Sequence, residues 1–182
     1  MFKSASLPKI IFICGGNNHS KRDQLISYIM RHGVNDRIVT CKAENAWNII
    51  VEQKLTKTSN ALEFENELAD LSDCIIIIVE SAGSIAELGA FSNSDSLRKK
   101  LLPILDKQYE KDISFVNTGP VKWVNKDSKY QPSLYIDFNC LLTHGDEILE
   151  RVRNSSLRGI RPSKRYSNRH LTLKELLFLS SM

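Results

Sequence analysis

The strongest pattern in the chain is a run of five apolar residues at 74–78, CIIII, which Val79 and Glu80 end. A run so short and so rich in isoleucine is typical of a strand buried on both faces, as in a parallel sheet. Small residues follow from Ser81 to Ser84, and a helical pattern that contains Glu87 follows them. The stretch predicts a buried strand, a tight turn and a helix whose first turn carries Glu87 and faces the carboxyl end of the strand.

The same alternation of strand and helix patterns runs along most of the chain. Strands are predicted at 9–14, 37–41, 101–105, 113–116 and 134–138, and helices at 20–33, 43–54, 62–71, 146–152 and 171–179. Pro103 favours the edge or the end of the sheet for its strand, because proline cannot donate to a ladder. The pattern predicts an α/β fold with a Rossmann-like, doubly wound and mainly parallel sheet.

In such a sheet the ligand lies at the carboxyl ends of the strands. The predicted rim gathers Gly15, Gly16 and Asn17 after the first strand, the segment from Ser81 to Glu87, and Asn117 after the strand at 113–116. A glycine turn before a helix presents free N–H groups to a phosphate or a ribose. GGNN lacks the GxGxxG spacing of dinucleotide-binding turns, so a glycine turn without a ligand stays open as an alternative.

The chemistry open to this rim is narrow. The chain has no P-loop, HExxH or GxSxG motif, and Ser84 has no histidine or aspartate partner at a recognisable spacing. What remains is a carboxylate, Glu87, beside small residues. A carboxylate there can attack C1′ of a ribose, or stabilise the oxocarbenium-like state through which an N-glycosidic bond breaks. Asp73 stands at the other end of the strand, roughly 20 Å away over six residues, and is predicted to be structural.

Length and composition fit one cytoplasmic domain with a short appendage. The 182 residues divide into an α/β domain at 1–150 and a basic tail with a short helix at 151–182. No apolar run reaches the ~18 residues of a membrane span, and the apolar part at 10–14 is too short for a signal peptide. The four cysteines, Cys14, Cys41, Cys74 and Cys140, form no CxxC pair, so we expect buried reduced thiols and no metal site.

The positive charge is concentrated near the end of the chain. Residues 151–170 hold seven lysines and arginines and no acid, whereas the rest is close to neutral. Such a segment can contact several phosphates, with an affinity that falls steeply with salt. A solvated tail without a partner is the alternative. The candidate contacts for nucleic acid or a partner protein are Arg158, Arg161, Lys164, Arg165 and Arg169.

Three segments together resemble a known family. ESAGSIAELGAF after a buried strand resembles the glutamate-bearing element of nucleoside 2-deoxyribosyltransferases. FICGG, VESAGSIAELGAFSNSDSLRKKL and SFVNTGPVK together resemble the amino-terminal domain of the deoxyribosyltransferase-like effectors of type II retrons, over about residues 9–123. Those effectors continue into a long winged-helix-like domain, and this chain stops at Met182, which leaves open a stand-alone effector of another defence operon.

The resemblance implies a toxic anti-phage effector, held in check by a retron reverse transcriptase bound to its multicopy single-stranded DNA (msDNA). It implies cleavage of the N-glycosidic bond of NAD or a related nucleotide as substrate, with no cofactor, by an N-glycosidase or transferase that could form homo-oligomers. Glu87 matches the nucleophile and Asn117 a substrate contact. The positions that match the nucleotide-holding loop and the turn beside the ribose are Gly15, Gly16, Asn17, Ser81, Gly83 and Ser84. A non-catalytic nucleotide sensor and a nucleic-acid-docking subunit remain as alternatives.

Overall fold

Five parallel strands form the centre of the molecule. The computed structural model of the chain describes residues 8–16, 19–42, 45 and 61–154. The strands are β1 (Lys9–Gly15), β2 (Ile38–Cys41), β3 (Cys74–Val79), β4 (Leu101–Asp106) and β5 (Leu134–Ile136). Their order in the sheet is β2-β1-β3-β4-β5, and every neighbouring pair is parallel.

Helices cover both faces of this sheet. They are α1 (His19–His32), α2 (Ala61–Leu71), α3 (Ala82–Asn93), α4 (Asp95–Arg98), α5 (Lys122–Asp127) and α6 (Gly145–Asn154). Short 3₁₀ turns lie at Val34–Asp36, Lys107–Tyr109 and Phe138–His144, and a wide π-helical turn lies at Asn117–Val121. No helix in the described part of the chain is long and apolar enough to cross a membrane.

Side chains alternate along β3 between the two faces of the sheet, so the strand packs against a layer of helices on each face. Ile75 and Ile77 point into one core, with side chains of α2, α3 and α5. Cys74, Ile76 and Ile78 point into the other core, with side chains of α1 and α6. A strand buried on both faces has no polar position, which is why its sequence reads as a continuous apolar run. The predicted Rossmann-like, doubly wound sheet is confirmed.

Asp73 joins the amino ends of β1 and β3. Its Oδ2 accepts the N–H of Ile10 at 2.9 Å, and its own N–H donates to the carbonyl of Ile10 at 2.8 Å. The hydroxyl of Tyr130 donates to the carbonyl of Asp73 at 2.8 Å. These bonds lie at the edge of the sheet opposite the rim, so the predicted structural role of Asp73 is confirmed.

Two predicted strand features are wrong. Residues 113–116 form no strand: Ile113 is 95% exposed and Phe115 is 83% exposed. Ser114 instead starts a helical turn, because its Oγ accepts the N–H of Asn117 and its carbonyl accepts the N–H of Thr118. The strand with Pro103 is an inner one, between β3 and β5. It tolerates the proline because β5 pairs only from Ile104 onward, which leaves Pro103 with a strand neighbour on one side.

Several predicted elements lie outside the described residues. They are most of the helix at 43–54, the helix at 171–179 and the basic segment beyond residue 154. The proposed domain boundary at residue 150 falls within α6, whose Val152 is buried in the core. The two-part division of the chain stays a prediction.

Candidate active site

The sheet order places one crevice between the carboxyl ends of β1 and β3. The chain leaves β1 through α1 toward β2 on one side, and leaves β3 through α3 toward β4 on the other. In a 2-1-3-4-5 sheet this change of direction is the topological switch point, where ligands bind. Gly15 and Ile78 lie side by side at the end of the two strands. The two predicted loops are therefore neighbours.

The glycines of the first loop allow a close approach of the second. A Cβ on Gly16 would lie 3.0 Å from Cγ of Glu80 and 3.0 Å from both Cβ and Oγ of Ser81. A Cβ on Gly15 would lie 3.0 Å from Cγ and Cδ of Arg22. All these distances are shorter than ordinary carbon contacts. A side chain at either position would make these neighbours shift by a few tenths of an ångström, so glycine favours the close packing of the two loops. Asn17 lies outside the described residues.

Ser81 and Ser84 build the start of α3. The Oγ of Ser81 accepts the N–H of Ser84 at 3.2 Å, and the Oγ of Ser84 accepts the N–H of Ser81 at 2.9 Å. This reciprocal arrangement is a capping box, with serine in place of the usual glutamate at the third position. The Oγ of Ser84 also accepts the N–H of Glu80 at 3.0 Å. Both predicted site serines therefore fix the geometry of the loop, and the buried Ser84 has its hydroxyl engaged by the backbone.

Glu87 lies one turn further into the helix than the sequence indicates. The helix begins at Ala82 rather than after Ser84, so Glu87 stands in the second turn and the expectation of a first-turn acid is wrong. Helical side chains lean toward the amino end, and the side chain of Glu87 is thereby directed toward the turn of Gly83 and Ser84. The residue is half-buried, and its Oε2 is shielded from solvent.

Gly83 leaves space beside this carboxylate. It lies one turn before Glu87 and is exposed. Within the described part of the chain, a Cβ built on it would meet only the Oγ of Ser81, at 3.7 Å. No described side chain therefore covers the backbone at this point.

Asn117 is at the rim by a different route from the one predicted. It does not follow a strand but begins the π-helical turn, which packs against α3. Its Nδ2 donates to the carbonyls of Tyr109 and Asp112, both at 2.8 Å, and its Oδ1 accepts the hydroxyl of Tyr135 at 2.9 Å. The amide thus holds the loop after β4. Burial, helped by the charge of Glu110, raises the pKa of the Tyr135 hydroxyl, so this donor stays protonated.

Glu80 and Lys21 are polar residues of the switch point that sequence reasoning missed. Glu80 follows β3 directly, and its Oε2 lies 2.8 Å from Nζ of Lys21 in the first turns of α1. The two residues are 59 positions apart, and only the pairing of β1 with β3 brings them together. The available signal was the position of Glu80, a single acid at the carboxyl end of the most buried strand.

The first two cations of the basic segment form contacts within the α/β domain. Arg151 donates to the carbonyls of Tyr130 and Pro132. Arg153 pairs with Asp36 at 2.8 Å. The candidate nucleic-acid contacts lie outside the described residues, namely Arg158, Arg161, Lys164, Arg165 and Arg169.

The cysteines differ more in exposure than predicted. None forms a disulfide; Cys14 and Cys74 are buried, Cys41 is half-buried and Cys140 is exposed in a 3₁₀ turn. Burial raises the pKa of the Cys74 thiol far above its ordinary value. Among the described residues, no group of three or more histidines, cysteines and acids could hold a metal ion.

Comparison with known proteins identifies a family and two curated relatives. Residues 18–182 match the family described as STM3845 retron effector protein. One Escherichia coli relative is named "Retron Ec73 putative ribosyltransferase/DNA-binding protein". A second, also from Escherichia coli, is named "Retron Ec86 putative ribosyltransferase/DNA-binding protein". The first is 32% identical over 151 residues, 80% of this chain and 46% of the relative. The second is 35% identical over 128 residues, 69% of this chain and 40% of the relative. The chain spans less than half of each relative. It belongs to the STM3845 family of retron effector proteins.

Proposed function

We propose that this chain is a deoxyribosyltransferase-like N-glycosidase, which cleaves the bond between the base and the ribose of NAD or a related nucleotide. The observation that carries the proposal is the position of Glu87 at the switch point, with the open backbone of Gly83 beside it. The word ribosyltransferase in the names of both relatives supports the same class of chemistry.

The reaction needs one carboxylate and one water molecule. An oxygen of Glu87 attacks C1′ of the ribose while the glycosidic bond breaks, and the nicotinamide nitrogen keeps the bonding electron pair and leaves neutral. The sugar is then an ester of Glu87. Water attacks C1′, the carboxylate is released with its electron pair, and the proton of the water passes to solvent. A second nucleobase in place of water would make the same site a transferase.

A conservative substitution tests this role. Purified protein is incubated with NAD and, separately, with nucleosides and deoxynucleosides, and free base is measured by chromatography. We expect Glu87→Gln to lower base release by roughly 10³-fold or more, as loss of a nucleophile does in other covalent enzymes. Glu67→Gln is the matched control, because Glu67 is an exposed acid on α2.

Thermal unfolding of both variants shows whether the fold survives. Base release by Glu87→Gln at the rate of the control would refute the nucleophile. Tight nucleotide binding by the unaltered chain, with no base released, would show a nucleotide sensor in place of an enzyme.

We extend the proposal to control of the effector. We propose that it is a cytoplasmic anti-phage toxin that a retron reverse transcriptase and its msDNA hold inactive. The family description supports the role of a retron effector, and the word DNA-binding in the names of both relatives supports a contact with nucleic acid. Docking would use the cations at 158–169, with an affinity for msDNA that falls with salt in proportion to the phosphates contacted. Salt titration of that binding, with these cations replaced by alanine as the comparison, tests the docking role. An affinity independent of salt would contradict it.

A further inference from the structure

Glu80 is a buried acid at the switch point that the reaction of Glu87 does not use. Its side chain is 8% exposed and its Oε2 is paired with Lys21. Its second oxygen, Oε1, is shielded from solvent and has no hydrogen-bond partner among the described residues. A buried charged oxygen without a donor is costly and rare in native proteins, so it calls for an explanation.

Glu80 is held at three points, one on its backbone and two along its side chain. Its backbone N–H donates to Oγ of Ser84 at 3.0 Å. Its Cγ lies 3.0 Å from the position that a Cβ on Gly16 would take, so the stem packs directly on the glycine turn. Its Oε2 lies 2.8 Å from the ammonium of Lys21. An acceptor fixed in this way is preorganised for a donor that arrives with a ligand.

We propose that Oε1 of Glu80 accepts a hydrogen bond from a hydroxyl of the substrate's ribose, and that Glu80 thereby determines specificity for the sugar. The inference rests on the proposed function. A hydroxyl is the donor that fits, because it is small and neutral and ribose carries two of them side by side. A phosphate would be repelled by the carboxylate.

The proposal assigns different work to three residues of the switch point. Glu87 reacts with C1′, Glu80 recognises a sugar hydroxyl, and Lys21 is a positioning residue that orients Glu80. A site built to bond a hydroxyl rejects an analogue that lacks it, because the buried acceptor is then left unpaired.

Binding to a non-reacting form of the full chain tests this specificity. The Glu87→Gln protein is titrated calorimetrically with NAD and with NAD analogues that lack the 2′- or the 3′-hydroxyl of the nicotinamide ribose. Adenosine and its 2′-deoxy and 3′-deoxy forms are titrated in parallel. We expect one deoxy analogue in a series to bind roughly 100-fold more weakly than its parent, because the buried acceptor of Glu80 is then left unpaired. Adding Glu80→Ala should bring that ratio close to one, and adding Glu67→Ala should leave it unchanged.

A second variant keeps the test valid if Glu80→Ala fails to fold. Lys21→Met retains the carboxylate but removes the group that orients it, and we expect the discrimination to fall severalfold. Equal affinities for parent and deoxy ligands while Glu80 is present, or discrimination that persists in folded Glu80→Ala, would overturn the inference and leave the proposed function standing. Neither binding nor cleavage of any parent ligand by the unaltered chain would overturn both.

Discussion

Two glycines of α3 allow the space beside Glu87 to be tested separately from the stability of the helix. Gly83 lies in the first turn and Gly89 in the second half of the same helix. Among the residues that the structure describes, a Cβ on Gly89 would meet nothing within 4 Å, and one on Gly83 would meet only Oγ of Ser81 at 3.7 Å. Neither alanine substitution therefore forces a described neighbour to move.

Both alanines should stabilise the folded chain. Glycine inside a helix costs about 0.5–1 kcal/mol relative to alanine. We therefore expect Gly89→Ala to raise the free energy of unfolding by about that amount, which lowers the unfolding equilibrium constant roughly two- to fivefold. Gly83→Ala should gain less, because its position is in the first turn. Urea unfolding followed by circular dichroism measures both.

The activities of the two variants should differ. In Gly83→Ala a methyl group enters the space where we place the sugar, and crowding of a packed contact costs about 1–3 kcal/mol. At that cost the rate of base release, as kcat/KM, falls roughly five- to 150-fold. Gly89→Ala should keep the kcat/KM of the unaltered chain. Equal activity in both variants would refute the placement of the substrate beside Gly83, and a loss of stability in Gly83→Ala would refute the open geometry itself.

Two further predictions concern groups away from the reaction. With a thiol reagent in the folded state, Cys140 should react first. Cys14 and Cys74 should react only after unfolding, because both are buried and burial raises the pKa of Cys74. Rapid modification of any thiol besides Cys140 and the half-buried Cys41 would contradict the described core. Because the pKa of Tyr135 is raised in the folded chain, the folded chain keeps this proton above pH ~10, where an unfolded tyrosine loses it. The contribution of Tyr135 to the free energy of unfolding is therefore complete below that pH and is lost as the pH rises further. Urea unfolding between pH 9 and 11 should show stability falling with pH, and Tyr135→Phe should reduce that slope; an identical slope in the variant would exclude Tyr135 as the titrating group.

The sequence correctly predicts those elements whose hydrophobic pattern is compatible with only one kind of structure. Burial on both faces makes β3 a continuous apolar run, and the parallel order then brings the turn of Gly15 to the start of α3. The residues at 113–116 are as apolar as a short strand, but Ile113 and Phe115 are exposed, and the bonds that Ser114 accepts start a helical turn there. Local composition does not distinguish these two outcomes.

The residues of the candidate site are likewise predictable only where a local pattern determines their position. Glu87 and the two loops follow from the position of a helix after a buried strand. Lys21 and Glu80 do not, because the contact between them depends on the pairing of β1 with β3 and on no local motif. The sequence places Asn117 at the end of a strand, whereas in the structure it begins a π-helical turn and bonds the loop after β4. Its contact with substrate stays a prediction.

The sheet order also has a consequence for how the chain folds. In the sheet, 63 residues separate Ile11 from its partner Cys74, whereas 26 separate Ile75 from its partner Leu101. Closing the longer loop costs about 0.8 kcal/mol more chain entropy than closing the shorter one. We therefore expect the β3–α3–β4 unit to form first and β1 to join it later. On this order Glu87 is already placed when β1 arrives, and the crevice between the two loops comes into existence only with the last long-range step of folding.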